Sequence, residues 1–425
     1  MRERFSKTKK YFLPAIITAM CAVPAQSALA EGVVDDLTEA IKSGKPTLEL
    51  RLSYENSDVE DSGYSTAQGL ILRTRVGYET GEFMKTRAYV QLQNVLNIME
   101  DFRYKHDGDW DGDEDRDIIM DPEGSRVHQA YLDWTAIPDT KVRLGRQEII
   151  LDDARLIGNI GWRQNGQSFD AISLTNTTVK DLSLYASYIN QVNTITRDYV
   201  DLDGLILLNA KYAGVKDQTF SAFCYLLDTE SDVDTARDSA TYGLRANGKL
   251  AMIKYDLTYA HQSDYEDGED HDGDMFNLFL GSSLAGVDFG AGYSYISGQD
   301  GDDRAFDTLF STAHKFNGWA DQFLATNGGG LANGLEDYYV QASTKCKYTG
   351  IKFVAVYHYF DSTEDVNNFD DNYGDEIDLL MVKKFNDNLS GLLKYGYYNE
   401  DNDSAAYTAT HGDEQIFWAR LTYKF

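Results

Sequence analysis

Apolar and polar residues alternate one for one along most of this chain, and a period of two is the spacing of strands. The C-terminus shows it most plainly: Phe417, Ala419, Leu421, Tyr423 and Phe425 alternate with Trp418, Arg420, Thr422 and Lys424. Leu48, Leu50, Leu52 and Tyr54 alternate with Glu49, Arg51 and Ser53, and Leu70, Leu72, Thr74, Val76 and Tyr78 with Ile71, Arg73, Arg75 and Gly77. The pattern predicts about eighteen strands, at 47–55, 67–79, 83–96, 125–136, 140–150, 167–175, 180–192, 202–213, 217–228, 239–249, 251–263, 275–282, 285–298, 335–346, 349–360, 374–384, 388–399 and 414–425. Most are long enough to cross a bilayer when tilted.

Connection lengths carry independent information. Odd-numbered connections are long (56–66, 97–124, 151–166, 193–201, 229–238, 264–274, 299–334, 361–373, 400–413), whereas most even ones are turns of two to four residues. A soluble sandwich has no reason to alternate so regularly, but a transmembrane β-barrel does: short periplasmic turns, long extracellular loops. Only a closed barrel leaves no unpaired strand edge in lipid, and eighteen strands enclose an aqueous lumen unless loops fold inward. The expected fold is therefore an all-β transmembrane antiparallel barrel over 47–425, with both termini on the periplasmic side. Residues 31–46 form a short periplasmic segment in which 35–43 reads as a helix, more in keeping with a solvated leader than a lumen plug.

The first thirty residues form a secretory signal. Arg2, Arg4, Lys7, Lys9 and Lys10 precede an apolar stretch from Tyr11 to Val23, and Ala28-Leu29-Ala30 supplies the cleavage site. Cleavage would take five bases and one acid from a chain of net charge -30, leaving -34. That charge excludes nucleic acid as a partner, since phosphates would be repelled. The remaining Cys224 and Cys346 sit in no metal-ligand spacing. The terminal strand ending in Phe425 has the form of a barrel-assembly signal, so the assembly machinery joins outer-membrane lipid and lipopolysaccharide as expected partners.

The long loops hold most of the acidic residues and few of the basic ones, which places the negative charge on the extracellular rim. Asp107, Asp109, Asp111 and Asp113 have the D-x-D-x-D-G spacing of a calcium loop, but Ile118 stands where an EF-hand needs its bidentate Glu. Loop 264–274 carries seven acids and no Lys or Arg. Both read as a solvated acidic surface, or as weak calcium sites that cross-bridge loops or lipopolysaccharide. On the wall, inward parity collects Arg51, Arg73, Arg75, Lys85 and Arg87, joined by Arg126, Arg143 and Arg146, by Arg155 and Arg163 in the following loop, and by Lys345 and Lys394 further on. An arginine-lined lumen lowers the entry barrier for carboxylates and binds them in fork-shaped hydrogen bonds. Pairing with acids such as Glu49, Asp133, Asp256 and Asp378 would consume part of that charge.

From Gly145-Arg-Gln-Glu148 through Asp153-Ala-Arg155 to Gly161-Trp-Arg163 and Asp170, the chain resembles the alginate-export family of outer-membrane porins. Gln129-Ala-Tyr-Leu-Asp133, Thr312-Ala-His314-Lys315-Phe316 with Asp321, and Gly374-Asp-Glu-Ile-Asp378 support the likeness. The resemblance implies an eighteen-strand barrel that passes a polyuronate or related anion through a basic constriction. It places Arg146, Arg155, Arg163 and Asp170 at or near that constriction, with Arg126 and Asp133 flanking it and His314 and Lys315 in a long loop that folds over or into the mouth. Alternatively, the charges of this block knit an inward loop to the wall. Some family members close the periplasmic side with a long late turn, whereas residues 385–387 leave almost nothing there. An acidic rim would favour small or calcium-neutralised anions over a bare polymer.

The expected function is a passive channel for anionic sugars; the alternatives are a general-diffusion pore, or a structural or adhesive barrel with cation-binding loops. An enzyme is not expected: the seven His are scattered, and no G-x-S-x-G or H-E-x-x-H occurs. An eighteen-strand barrel needs no partner to close, which makes a monomer the default.

Overall fold

The computed structural model describes residues 31–106, 108–230, 237–324, 330–364, 372–401 and 412–425; the signal segment 1–30, Asp107 of the acidic turn and His411 lie outside them. Helix α1 (Glu31–Lys42) comes first, a few residues earlier than the expected 35–43. It is followed by β1 (Lys45–Val59), β2 (Ala67–Glu79) and β3 (Thr86–Asp101). A small hairpin, β4 (Arg103–His106) and β5 (Asp109–Gly112), sits inside the second long connection and was not legible in the sequence. The sheet resumes with β6 (Gly124–Trp134), β7 (Thr140–Gln147), β8 (Ser168–Asn176), β9 (Leu182–Asn193) and β10 (Tyr199–Tyr212). It continues through β11 (Gln218–Thr229), β12 (Ser239–Leu250), β13 (Ile253–Asp264), β14 (Asp272–Leu284) and β15 (Val287–Ile296). The last strands are β16 (Leu335–Lys345), β17 (Lys352–Asp361), β18 (Asn372–Lys384), β19 (Leu389–Glu400) and β20 (Glu414–Lys424).

Each barrel strand pairs antiparallel with the next, and β20 pairs back onto β1 (Leu52↔Leu421, Tyr54↔Ala419), so eighteen strands close on themselves. Every one of the expected segments overlaps one of them. Register explains why. A strand with one wet and one greasy face can shift only by two residues without inverting, and Leu52 of β1 meets Leu72 of β2 while Val76 of β2 meets Leu92 of β3. The outer face is aliphatic at mid-height. Towards the long loops a tyrosine girdle follows, with Tyr293 paired to Tyr338 and Tyr338 to Tyr359. At the other end, the short turns and strand ends bear exposed large apolar side chains: Met84, Ile137, Val179, Val215, Met252, Leu284, Tyr348 and Phe385.

The core lies inside the barrel. Segments 148–167 and 297–324 turn inward and pair along part of their length: Gly158 donates to the Phe310 carbonyl (2.9 Å), Phe310 to Leu156 (3.0 Å) and Thr312 to Ala154 (2.9 Å). Leu156, Ile157, Phe306, Leu309 and Phe323 from these loops pack against inward residues Phe169, Ile189, Leu205, Tyr225 and Phe360 of the wall. The lumen is thus crossed by a two-loop plug at about mid-height.

Candidate functional site

The wall arginines of β1, β2 and β20 are directed at the plug. Arg51 and Arg73 are direct cross-strand partners. Arg51 Nη1 donates to the carbonyls of Gly161 (2.9 Å) and Trp162 (3.3 Å), and Arg73 Nη1 to those of Arg163 (3.3 Å) and Gln164 (3.2 Å). Arg420 Nη2 donates to Trp162 O (3.0 Å), with its guanidinium 4.0 Å from the Trp162 ring centre. A chain crossing a lumen leaves carbonyls without ladder partners, and the guanidinium fork satisfies them. Glu49 sits among these cations, bonded to Arg73 and 2.7 Å from Lys424 Nζ. Arg75 lies 3.4 Å from Glu148, which also bonds His128 (2.7 Å).

Arg163 binds in the opposite sense, from plug to wall. Buried, it meets Glu55 of β1 at 2.8 Å, Asp321 of the second plug loop at 3.3 Å and Asp121 at 3.9 Å. Burial pushes the Asp121 carboxyl up to about 6 against the pull of Arg163. Burial also opposes charge on Arg163, but the three acids hold its pKa above the ordinary value. Beside it, His314 stacks on Trp162 (4.4 Å) and bonds Asp321 through Nδ1 (2.8 Å). Lys394 Nζ reaches His314 Nε2 (2.6 Å) from within a cage of Trp162, Trp319 and Trp418. Burial drives His314 down to about 3, which keeps it neutral, so Nε2 accepts from Lys394. Glu376 of β18 takes the amides of Trp319 and of Ala320 (2.9 Å). Gly318 is required just before them: its φ is +83°, and a Cβ there would meet Glu376 Oε2 at 2.2 Å.

Arg155 and Lys315, like Arg126, Lys394 and Arg420, have no carboxylate within ion-pair distance among the described residues. Arg155 crosses to the far wall, where Nη1 donates to Ser294 Oγ (3.2 Å) and Nη2 to Asn277 Oδ1 (2.9 Å), while buried Nε has no partner. Lys315 is exposed and donates only to the Asp153 carbonyl (2.7 Å). The Phe316 ring lies between them, 3.9 Å from the Arg155 guanidinium and 5.0 Å from Lys315 Nζ. Burial lowers the Lys315 pKa, as do Arg155 and Arg245, although Asp153 works the other way. Arg245 itself is bound in a fork by Asp256.

Other expected site residues fall elsewhere. Arg143 is held by Asp133 in a two-point contact (2.6 and 2.8 Å), over the Tyr131 ring. Arg87, 3.7 Å from Glu79, and exposed Lys345 stand at the short-turn mouth; Lys85 lies in a turn with Glu82. Arg146 and Asp170 correct the expectation of a constriction site. They are direct cross-strand partners sharing the face of Val142 and Leu144, opposite that of Arg143, and they bind each other in a fork (2.7 and 2.8 Å). The reason is a short seam: β6 and β7 share five register pairs, against eight for β7 and β8. Above it, arginines reach backbone carbonyls around the seam. Arg146 donates to Val127 O (3.3 Å), Arg126 to Thr194 O (2.7 Å) and Gly166 O, and Arg197 to Glu123 O. In the acidic turn, Asp113 contacts Arg116 (3.3 Å), while Asp109 and Asp111 lie on β5. Among the described residues no group of three or more His, Cys, Asp or Glu is placed to hold a metal ion.

Trp162, Trp319, Trp418, Arg420, Glu55 and Glu376 were missed as plug residues, although inward parity marked those on strands. The sequence offered an inward loop knitted to the wall as one reading of the block from Gly145 to Asp170, but not which wall residues would meet it.

No curated protein sequence gives a significant match. Several solved outer-membrane porins share the shape. Pseudomonas aeruginosa OpdQ is 17% identical, with 91% of this chain and 99% of that one aligned at a TM-score of 0.64. Acinetobacter baumannii OccAB3 is 14% identical over 91% and 100%, at 0.68. Acinetobacter baumannii OccAB4 is 14% identical over 90% and 98%, at 0.67. At such identities they speak for the barrel alone. The alginate-export family model matches residues 47–402, nearly the whole barrel. The chain belongs to the alginate-export family of outer-membrane β-barrel channels.

Proposed function

We propose that this channel passes anionic sugars, alginate or related uronates, past Arg155, Lys315 and Phe316. The observation that supports this is the division of labour among lumen cations. Arg51, Arg73, Arg163 and Arg420 are engaged by plug carbonyls and buried acids, whereas Arg155 and Lys315 rest on neutral partners beside an aromatic face. A cation with no carboxylate in direct contact attracts a solute carboxylate, and a ring beside it offers an apolar surface to a pyranose. Transport, not catalysis, is what the family and barrel support. Calcium held by the 107–113 and 264–274 loops would screen the acidic rim for such a solute. The last strand closes on β1 and leaves Phe425 exposed, as recognition by the assembly machinery would need.

The test is the reversal potential of single channels in a planar bilayer under a salt gradient, with and without oligouronates on one side. Anion preference with uronate-dependent block is expected. Cation preference without block would mean that the acidic rim dominates and that uronates are not the solute.

A further inference from the structure

We propose that α1 is an interfacial membrane anchor, lying in the headgroup–acyl boundary of the phospholipid leaflet on the short-turn side. The helix is amphipathic. Val34, Leu37 and Ile41, at i, i+3 and i+7, form one stripe and are 49%, 45% and 51% exposed, while Asp35, Asp36 and Glu39 occupy the opposite side. Among the helix residues whose burial is described, only Ala40 is buried against the barrel, where its carbonyl accepts from Gly81 (2.7 Å) in the turn after β2. Three aliphatic side chains facing water have no packing explanation.

Two observations identify what covers them. The helix is fastened to the outside of the wall: Tyr78 donates its hydroxyl to the Ile41 carbonyl, and Tyr78 pairs directly with Val90, an exposed residue of the outer face. The stripe also lies at the level of the short turns, whose ring of apolar side chains runs around the rim and includes Met84 in the turn that α1 touches. A lipid-facing barrel wall with an apolar rim continues directly into the exposed face of α1. An in-plane helix with one aliphatic face and one charged face is the form that binds there. Lys42 and Lys45, both exposed, follow at the level of lipid phosphates.

The experiment places a fluorophore at Leu37→Cys or Asp36→Cys, in a background carrying Cys224→Ser and Cys346→Ser, in the full barrel reconstituted into phosphatidylethanolamine–phosphatidylglycerol vesicles. The expected result is at least threefold stronger quenching of the Leu37 probe by shallow spin-labelled lipid, and at least threefold weaker quenching by aqueous iodide, than at Asp36. Equal iodide quenching at both positions would overturn the anchor in favour of a solvated leader. Protection from iodide without lipid quenching would also overturn it, by placing the helix under the lumen mouth. Val34→Glu/Leu37→Glu/Ile41→Glu should expose a probe at Thr38→Cys to iodide while the sheet stays intact, because α1 is not part of it; an unmoved probe would equally count against the anchor.

Discussion

Replacing Arg163 with Met tests what holds the plug across the lumen. The guanidinium meets three carboxylates from three parts of the chain, Glu55, Asp121 and Asp321. Met keeps most of the stem but leaves those acids buried together without a counter-charge. Removing one partner of a buried ion pair costs about 3–5 kcal/mol. The sheet does not depend on Arg163, so the loss falls on the closed state of the plug, a factor of roughly 10² to 4 × 10³ in its population at about 1.4 kcal/mol per tenfold. Single-channel recordings should show larger conductance and frequent open bursts in Arg163→Met, with unchanged heat-induced unfolding of the barrel. Arg163→Lys, which keeps the charge and loses the fork, should lie between. Acid should partly rescue Arg163→Met, because protonated acids need no counter-charge. Wild-type conductance in Arg163→Met at neutral pH would refute the reasoning.

Other tests separate the lumen cations from the wall cations and follow the plug with pH. Arg155→Glu or Lys315→Glu should shift the reversal potential towards cations, whereas Arg146→Glu should leave selectivity unchanged and lower the unfolding temperature of the barrel, since it sets a like charge against Asp170 and removes the donor to Val127 O. His314 falls from 6.5 to about 3 on folding, so its contribution is complete above 6.5 and is lost as pH drops towards 3; Asp121 rises from 3.8 to about 6, so its contribution is complete below 3.8 and is lost as pH climbs to 6. The two oppose each other across about pH 4–6, so His314→Gln should reveal a plug that tightens on acidification, and conductance that still rises between pH 6 and 4 in this variant would contradict the assignment. Neutralising the acids of 264–274 should flatten the salt dependence of conductance below physiological ionic strength, where screening extends beyond ~8 Å, without changing open probability.

Much of the barrel was legible because its information is local. Leu48 to Tyr54 and Phe417 to Phe425 announce their inner and outer faces by alternation alone, and the unequal connections give the orientation. The plug was legible only as an alternative, an inward loop knitted to the wall, and its partners were not, because that information is long-range: nothing near Gly161 says that Arg51, Arg73 and Arg420, remote in sequence, will bind the carbonyls beside it. Arg146 is a different case: three residues from Arg143 on β7, it has the opposite parity, so alternation already placed the two on different faces. Arg155 and Lys315 were named from the motif, but their lack of acid partners required the far wall to be in place.

The seam between β6 and β7 has a mechanical consequence. A closed barrel is a hoop, and a hoop under tension parts at its weakest joint. Here that joint has five register pairs, completed by guanidinium contacts to backbone carbonyls. The first plug loop springs from the end of β7, at the joint itself. Lateral strain in the membrane therefore reaches the plug through its own root before it disturbs the rest of the wall, so the permeability of this channel should answer to bilayer thickness and tension as well as to solute.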